Sequence, residues 1–153
     1  MLIDYFKLRD SAIDPIRANP SDAGLDVFYC PEDERDSLMI KPGESVILET
    51  GLKFGVPHGF MLEVKNRSSV ASKRQLIVGA CVIDPGYNGE LFVNLHNVGK
   101  EDRIVLHGDK IAQVVMIPII HFRAQKLMTD TLYDNPICIS NRGKGGFGST
   151  GTN

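Results

Sequence analysis

Val82-Ile-Asp-Pro-Gly-Tyr-Asn-Gly-Glu-Leu91 is the stretch on which the reading of the chain turns. Val82 and Ile83 are β-branched and apolar, the end of a buried strand. Pro85, Gly86, Asn88 and Gly89 are turn formers. Leu91, Val93 and Leu95 alternate with Glu90, Phe92, Asn94 and His96, which is the period of a second strand. The spacing predicts a β-hairpin with Asp84 and Tyr87 at its tip. A carboxylate and an aromatic ring held on a rigid turn make a platform for a base and a sugar. The plainer alternative is a surface turn whose Asp bonds its own backbone.

Outward from that stretch, the chain is a series of short strands. Residues 2–8, Leu25–Tyr29, Ser45–Leu48, 51–55, Phe60–Lys65, Leu76–Val78, Arg103–Leu106 and the nearly continuous apolar run 111–120 read as strands. Residues 10–24 and 31–37 read as loops, and 66–73 as a short helical turn. About nine or ten short strands, with Gly and Pro between them and no strongly amphipathic helix, predict an all-β sandwich or jelly roll. The run 111–120 suits a strand covered on both sides. The length of 153 residues suits one domain with a full core. It is read as a β core over 1–140 and a flexible, glycine-rich C-terminal arm over 141–153.

A net charge of −2 argues against a dedicated nucleic-acid surface. No apolar run has the length of a membrane span, and the first residues lack the apolar core of a signal peptide. Cys30, Cys81 and Cys138 are odd in number and widely spaced, which suits a reducing compartment such as the cytoplasm. The four histidines show no metal-ligand spacing.

Several polar residues stand out. Asp26 lies in Gly24-Leu-Asp-Val-Phe28, where a carboxylate needs a partner, a loop backbone or a cation. Gln113 poses the same question in Ile111-Ala-Gln-Val-Val-Met-Ile117. Arg67-Ser68-Ser69 offers a guanidinium fork and two hydroxyls, either a phosphate clamp or a helix-capping segment. Gly143, Gly145 and Gly148 fit the spacing of a dinucleotide fingerprint, but no helix can follow in the five remaining residues. Arg142 and Phe147 in that flexible frame could order over a ligand, one on phosphate and one on a ring.

Five segments in order resemble the motifs of the trimeric dUTP diphosphatase (dUTPase) family: Ala23–Asp26, Arg67–Ala71, Val82–Leu91, Gly108–Gln113 and Arg142–Gly151. Three positions depart from the usual pattern, which has Pro at Asn66, Gly at Ser69 and a second Asp at Gly86. The resemblance implies a jelly-roll protomer in a three-fold homotrimer that hydrolyses dUTP to dUMP and pyrophosphate with Mg²⁺. It implies that Asp84 activates the attacking water and that Tyr87 packs under the deoxyribose. Backbone groups of Cys81, Val82, Ile83 and Phe92 would read the uracil. Arg67, Ser68, Ser69, Gln113 and Arg142 would hold the phosphates, with Phe147, Gly148 and Ser149 of the arm closing over the nucleotide. Asp26 would act on Mg²⁺ through a coordinated water.

The related dCTP deaminases share the Arg-Ser-Ser and Ile-Asp-Pro-Gly forms. Their chemistry uses a Glu and an Arg at places held here by Asn94 and Ser72, so deamination, alone or joined to diphosphatase activity, is the runner-up. A nucleotide-gated regulatory binding module on the same scaffold is the alternative of a different class.

Overall fold

A computed structural model describes residues 1–33 and 35–134. The chain divides into two compact units, Met1–His121 and Phe122–Asn153. Every described strand belongs to the first. The described part of the second, residues 122–134, holds turns and exposed side chains. The expectations placed on Cys138, Arg142, Phe147, Gly148 and Ser149 lie outside the described residues.

The strands are β1 (Tyr5–Lys7), β2 (Leu25–Phe28), β3 (Ser37–Ile40), β4 (Ser45–Glu49), β5 (Leu52–Phe54), β6 (Phe60–Lys65), β7 (Leu76–Val78), β8 (Val82–Ile83), β9 (Phe92–Asn97), β10 (Arg103–Leu106) and β11 (Lys110–Pro118). Among the described residues there is one helix, α1 (Ser68–Arg74), where the short helical turn is expected. The sheets are β2-β11-β6-β8, β4-β9-β7 and the two ribbons β1-β5 and β10-β3. They enclose one core, in which Val27, Ile40, Leu48, Leu52, Val64, Leu76, Val93, Leu95, Val105 and Ile111 are fully or almost fully buried. This is an all-β jelly roll. β3 was not anticipated: its outward Met39 is half exposed and apolar, so the segment lacks the polar alternation that betrays a strand.

The predicted hairpin is corrected. Val82–Ile83 pairs with Leu62 and Glu63 of β6, whereas β9 pairs with β4 and β7. The two halves of the stretch therefore belong to different sheets. The hairpin stem sits earlier, with Leu76 opposite Asn97 and Val78 opposite Leu95. Alternation marks a strand but carries no information about its partner. The run 111–120 is likewise covered unevenly: Ile111, Ala112 and Val114 are buried, while Val115 and Ile117 are only partly covered.

β11 contains a bulge that matters for the site. Lys110 faces Phe28, Ala112 faces Val27 and Gln113 faces Asp26, so Ile111 is the extra residue. In a regular strand, residues three apart point to opposite faces. The bulge puts Lys110 and Gln113 on the same face, the one that carries Asp26.

Candidate active site

One group of site residues gathers on the outer face of the four-stranded sheet. Gln113 lies opposite Asp26 on β2 and Lys65 on β6. Asp26 is 8% exposed, low for a carboxylate, and both its oxygens are engaged. Arg67 Nε donates to Oδ1 at 2.8 Å, and Lys110 Nζ pairs with Oδ2 at 3.0 Å. The backbone of Asp26 exchanges hydrogen bonds with Ile16, so the loop 10–24 seals that edge of β2. The burial cost of the carboxylate is thus met by two cations and a closed backbone.

Arg67, two residues past the end of β6, is extended (φ −87°, ψ 134°) as N-cap of α1, and its side chain goes to Asp26 instead of capping the helix. Ser68 and Ser69 follow, both exposed. Gln113 Nε2 donates to the Asn66 carbonyl at 2.9 Å, tying β11 to the segment before Arg67. Gly24 leaves the room this amide needs, because a Cβ there would collide with Gln113 Oε1. Gly24→Ala should therefore displace Gln113 and cost about 1–3 kcal/mol, the usual range for overpacking. Urea unfolding, with the Arg67–Asn66 region followed by hydrogen exchange, measures both effects.

The second group lines a cleft of about 550 Å³ that includes Val82, Ile83, Asp84, Tyr87, Glu90 and Phe92. That volume suits a nucleoside-sized ligand. Tyr87 N–H donates to the Asp84 carbonyl at 3.3 Å, and Gly86 has φ +83°. With Pro85 at the second position and Gly86 at the third, this is a type II turn, whose third residue requires positive φ. Gly86 thus supplies the backbone shape that holds Asp84 and Tyr87 together. Tyr87 folds back so that its hydroxyl donates to the Glu90 carbonyl at 3.0 Å, over Gly89, where a Cβ would meet the ring.

The Cys81 carbonyl accepts from Val64 N–H at 2.7 Å, so it is committed to the sheet. Antiparallel pairing alternates inward and outward backbone groups. With Cys81 and Ile83 turned to β6, Val82 presents its N–H and C=O at the outer edge, beside the cleft that it lines.

The two groups stand apart in the chain. By the register of β8 on β6, Asp84 lies across from Met61, six residues before Arg67. At about 3.3 Å per residue this is roughly 20 Å. The Arg67 guanidinium moreover leans toward β2, on the side of β6 away from β8.

Among the described residues, no group of three or more His, Cys, Asp and Glu forms a metal cluster. A single carboxylate already paired with two cations does not hold a bare divalent ion. It does fit a Mg²⁺ that arrives with a polyphosphate, because Mg²⁺ typically keeps waters and takes one or two carboxylates plus phosphate oxygens.

Sequence reading missed Lys110 and Glu90. Lys110 lies within Gly108–Gln113, where its residue type alone marks no role. The bulge that aims it at Asp26 has no sequence signature. By alternation with Leu91, Glu90 is only an outward strand residue.

The fold and these two groups define a jelly-roll protein with a nucleoside-sized cleft and, apart from it, Asp26 held between the cations Arg67 and Lys110. The chain belongs to the dUTPase family, whose sequence profile matches residues 10–151. It is 39% identical over 149 residues to the deoxyuridine 5′-triphosphate nucleotidohydrolase of Clostridioides difficile, covering 95% of this chain and 94% of that one. It is 36% identical over 155 residues to the enzyme of the same name from Crocosphaera subtropica, covering 99% of each. Among solved structures, a variant dUTPase of Staphylococcus bacteriophage 80alpha with dUpNHpp has the same fold, with a TM-score of 0.83 over 99% of both chains at 24% identity. A variant dUTPase from phage phi11 of S. aureus, described as coordinating a structural Mg(II) ion, gives a TM-score of 0.75 at 23% identity over 84% of this chain and 98% of that one.

Proposed function

We propose that this protein hydrolyses dUTP to dUMP and pyrophosphate, with each site assembled from more than one copy of the chain in a homotrimer. The observation that carries the reading is the type II turn that fixes Asp84 beside Tyr87 on a nucleoside-sized cleft. Uracil sits against the Val82 backbone and Phe92, and the Tyr87 ring packs under the deoxyribose, where a 2′-hydroxyl would be crowded. Arg67, Ser68, Ser69 and Gln113 bind the phosphates, joined by Arg142, Gly148 and Ser149 of the arm, while Phe147 covers the base. Asp84 accepts a proton from a water, whose oxygen forms a bond to the α-phosphorus. The bond from that phosphorus to the α–β bridging oxygen breaks, and pyrophosphate leaves with the electron pair.

Asp26 would hold, through a water, a Mg²⁺ carried by the phosphates, and that ion would supply charge to offset theirs. Arg67 and Lys110 add to that effect as fixed cations. The homotrimer reading rests on the separation of the half-sites and on β11, whose outer face below Gln113 carries the partly covered apolar residues Val115 and Ile117. Closed symmetry would bury that strip. One domain over 1–153, with 141–153 as the closing arm, belongs to the same proposal. So does a cytoplasmic location, which suits the free thiols of Cys30 and Cys81. No described helix is long and apolar enough to cross a membrane.

The reading is tested by incubating the protein with dUTP, dCTP and UTP in Mg²⁺ and H₂¹⁸O. Expected products from dUTP are pyrophosphate and dUMP carrying the label. Label in pyrophosphate, orthophosphate as first product, or ammonia from dCTP would each overturn it. Deamination is disfavoured by Asn94, whose amide donates to Ser45 Oγ and the Val46 carbonyl while its oxygen accepts from Ala80 N–H. That side chain is a bracket between strands, and an amide cannot shuttle protons. Phe147→Ala should lower kcat/KM about tenfold, because stacking on a base is worth about 1–3 kcal/mol. An unchanged kcat/KM would remove Phe147 from the site.

A further inference from the structure

Glu90 lines the cleft, yet its side chain is engaged by partners within the protein. Its two oxygens take Arg9 Nη1 at 3.3 Å and Arg9 Nη2, and Oε1 also accepts Gly51 N–H at 2.6 Å. The carboxylate is 13% exposed and the Arg9 side chain 16%. Arg9 is fixed in turn by Nε donating to the Cys30 carbonyl at 3.0 Å. Glu49 lies 3.8 Å from the same guanidinium, but it is more exposed and accepts Glu32 N–H, which leaves Glu90 as the main partner of Arg9. Gly51 has φ +68°, and Ala12 and Arg9 fill the space a Cβ would need, so the turn between β4 and β5 is shaped to bring its N–H to Glu90.

The same residue anchors Tyr87, whose hydroxyl donates to the Glu90 carbonyl. The side chain of Glu90 thus ties the end of the loop to two other segments, and through Arg9 to Cys30, while its backbone sets the tilt of the ring. We infer that Glu90, clamped by Arg9 and the Gly51 amide, is the positioning residue for Tyr87 and so sets discrimination between deoxyribose and ribose. This rests on the reading of the cleft as a dUTP site. The clamp acts through the angle and rigidity of the ring.

The test compares wild type with Glu90→Ala, Glu90→Gln, Arg9→Ala and the Arg9→Ala/Glu90→Ala double variant. Two quantities are read: the ratio of kcat/KM for dUTP over UTP, and amide hydrogen exchange across residues 84–91. Misplacing a positioning group by about an ångström typically costs 10²-fold. Glu90→Ala should lower the dUTP/UTP ratio roughly 10–10²-fold, mainly through the KM for dUTP, and speed exchange in 84–91. Glu90→Gln keeps an acceptor for Gly51 N–H and should fall between. The double variant should be no worse than Glu90→Ala, because the two residues act as one unit.

An unchanged ratio in Glu90→Gln and Arg9→Ala with unchanged exchange would overturn the inference, and so would strictly additive effects. If Glu90→Ala does not fold, those two milder variants decide. A merely structural role would lower the melting temperature and leave the ratio alone. If wild type fails to cleave dUTP, the proposed function fails by itself, and exchange at 84–91 still decides whether the clamp holds the loop.

Discussion

Asp84→Asn should leave a folded protein that binds dUTP and has lost roughly 10²–10⁴-fold in turnover, the span typical of general acid–base groups. The turn survives the change because it uses only the Asp84 carbonyl, as acceptor of Tyr87 N–H, together with Pro85 and the positive φ of Gly86. The Asp84 side chain is exposed, so an amide costs no burial. What changes is basicity. A carboxylate can take the proton released as water attacks phosphorus, whereas an amide of the same shape cannot. Steady-state kinetics and nucleotide binding on the same preparation separate the two. Full turnover in the variant would dismiss Asp84 as the base.

The second large effect concerns where the halves of a site come from. Arg67→Ala should also be nearly inactive, since a lost cation on the phosphates costs roughly 10²–10³-fold. Mixed after denaturation and refolding, Asp84→Asn and Arg67→Ala should nevertheless regain activity. The separation of roughly 20 Å along β6 keeps Asp84 and Arg67 of one protomer out of the same site. Under the proposed function, a complete site takes the two residues from different copies. In a random 1:1 mixture each has even odds of being intact where needed, so about a quarter of the sites are whole. Activity near a quarter of wild type, from two dead parents, is the expected result. No recovery, with mixing proved by native mass spectrometry, would place both residues in one protomer's site and undo the shared-site reading. Arg67→Ala is itself informative about stability. Among the described residues it leaves Asp26 with Lys110 as its one remaining ion-pair partner, and breaking a buried pair one-sidedly often costs several kcal/mol. Arg67→Lys, which keeps the charge, is the control if the alanine variant folds poorly.

Local sequence was enough for the strands whose residues alternate. Leu91, Val93 and Leu95 are buried as the period requires, and β6 runs from Phe60 to Lys65 as read. The chemistry of the turn was legible too, because Pro85 followed by Gly86 restricts the backbone to few shapes. The five family motifs were legible because each packs its residue types into a short segment. Partner choice was not. Val82–Ile83 pairs with β6 and Phe92–Asn97 with β4 and β7, since burial across the whole core decides which edges meet, and alternation is the same for any partner. The bulge at Ile111 shows the same limit at single-residue scale. Lys110 and Gln113 share a face only because one residue of β11 is left out of register with β2, and no residue type there announces it. Arg9 and Glu90 lie far apart in the chain and meet only when β1, β4, β5 and the loop after β8 close around them. Sequence by itself determined which chemical groups this protein owns and the local shapes that present them. Tertiary structure alone decided which groups stand together, because contact between distant residues depends on sheet order, register and the closure of the core, and these are properties of the whole chain.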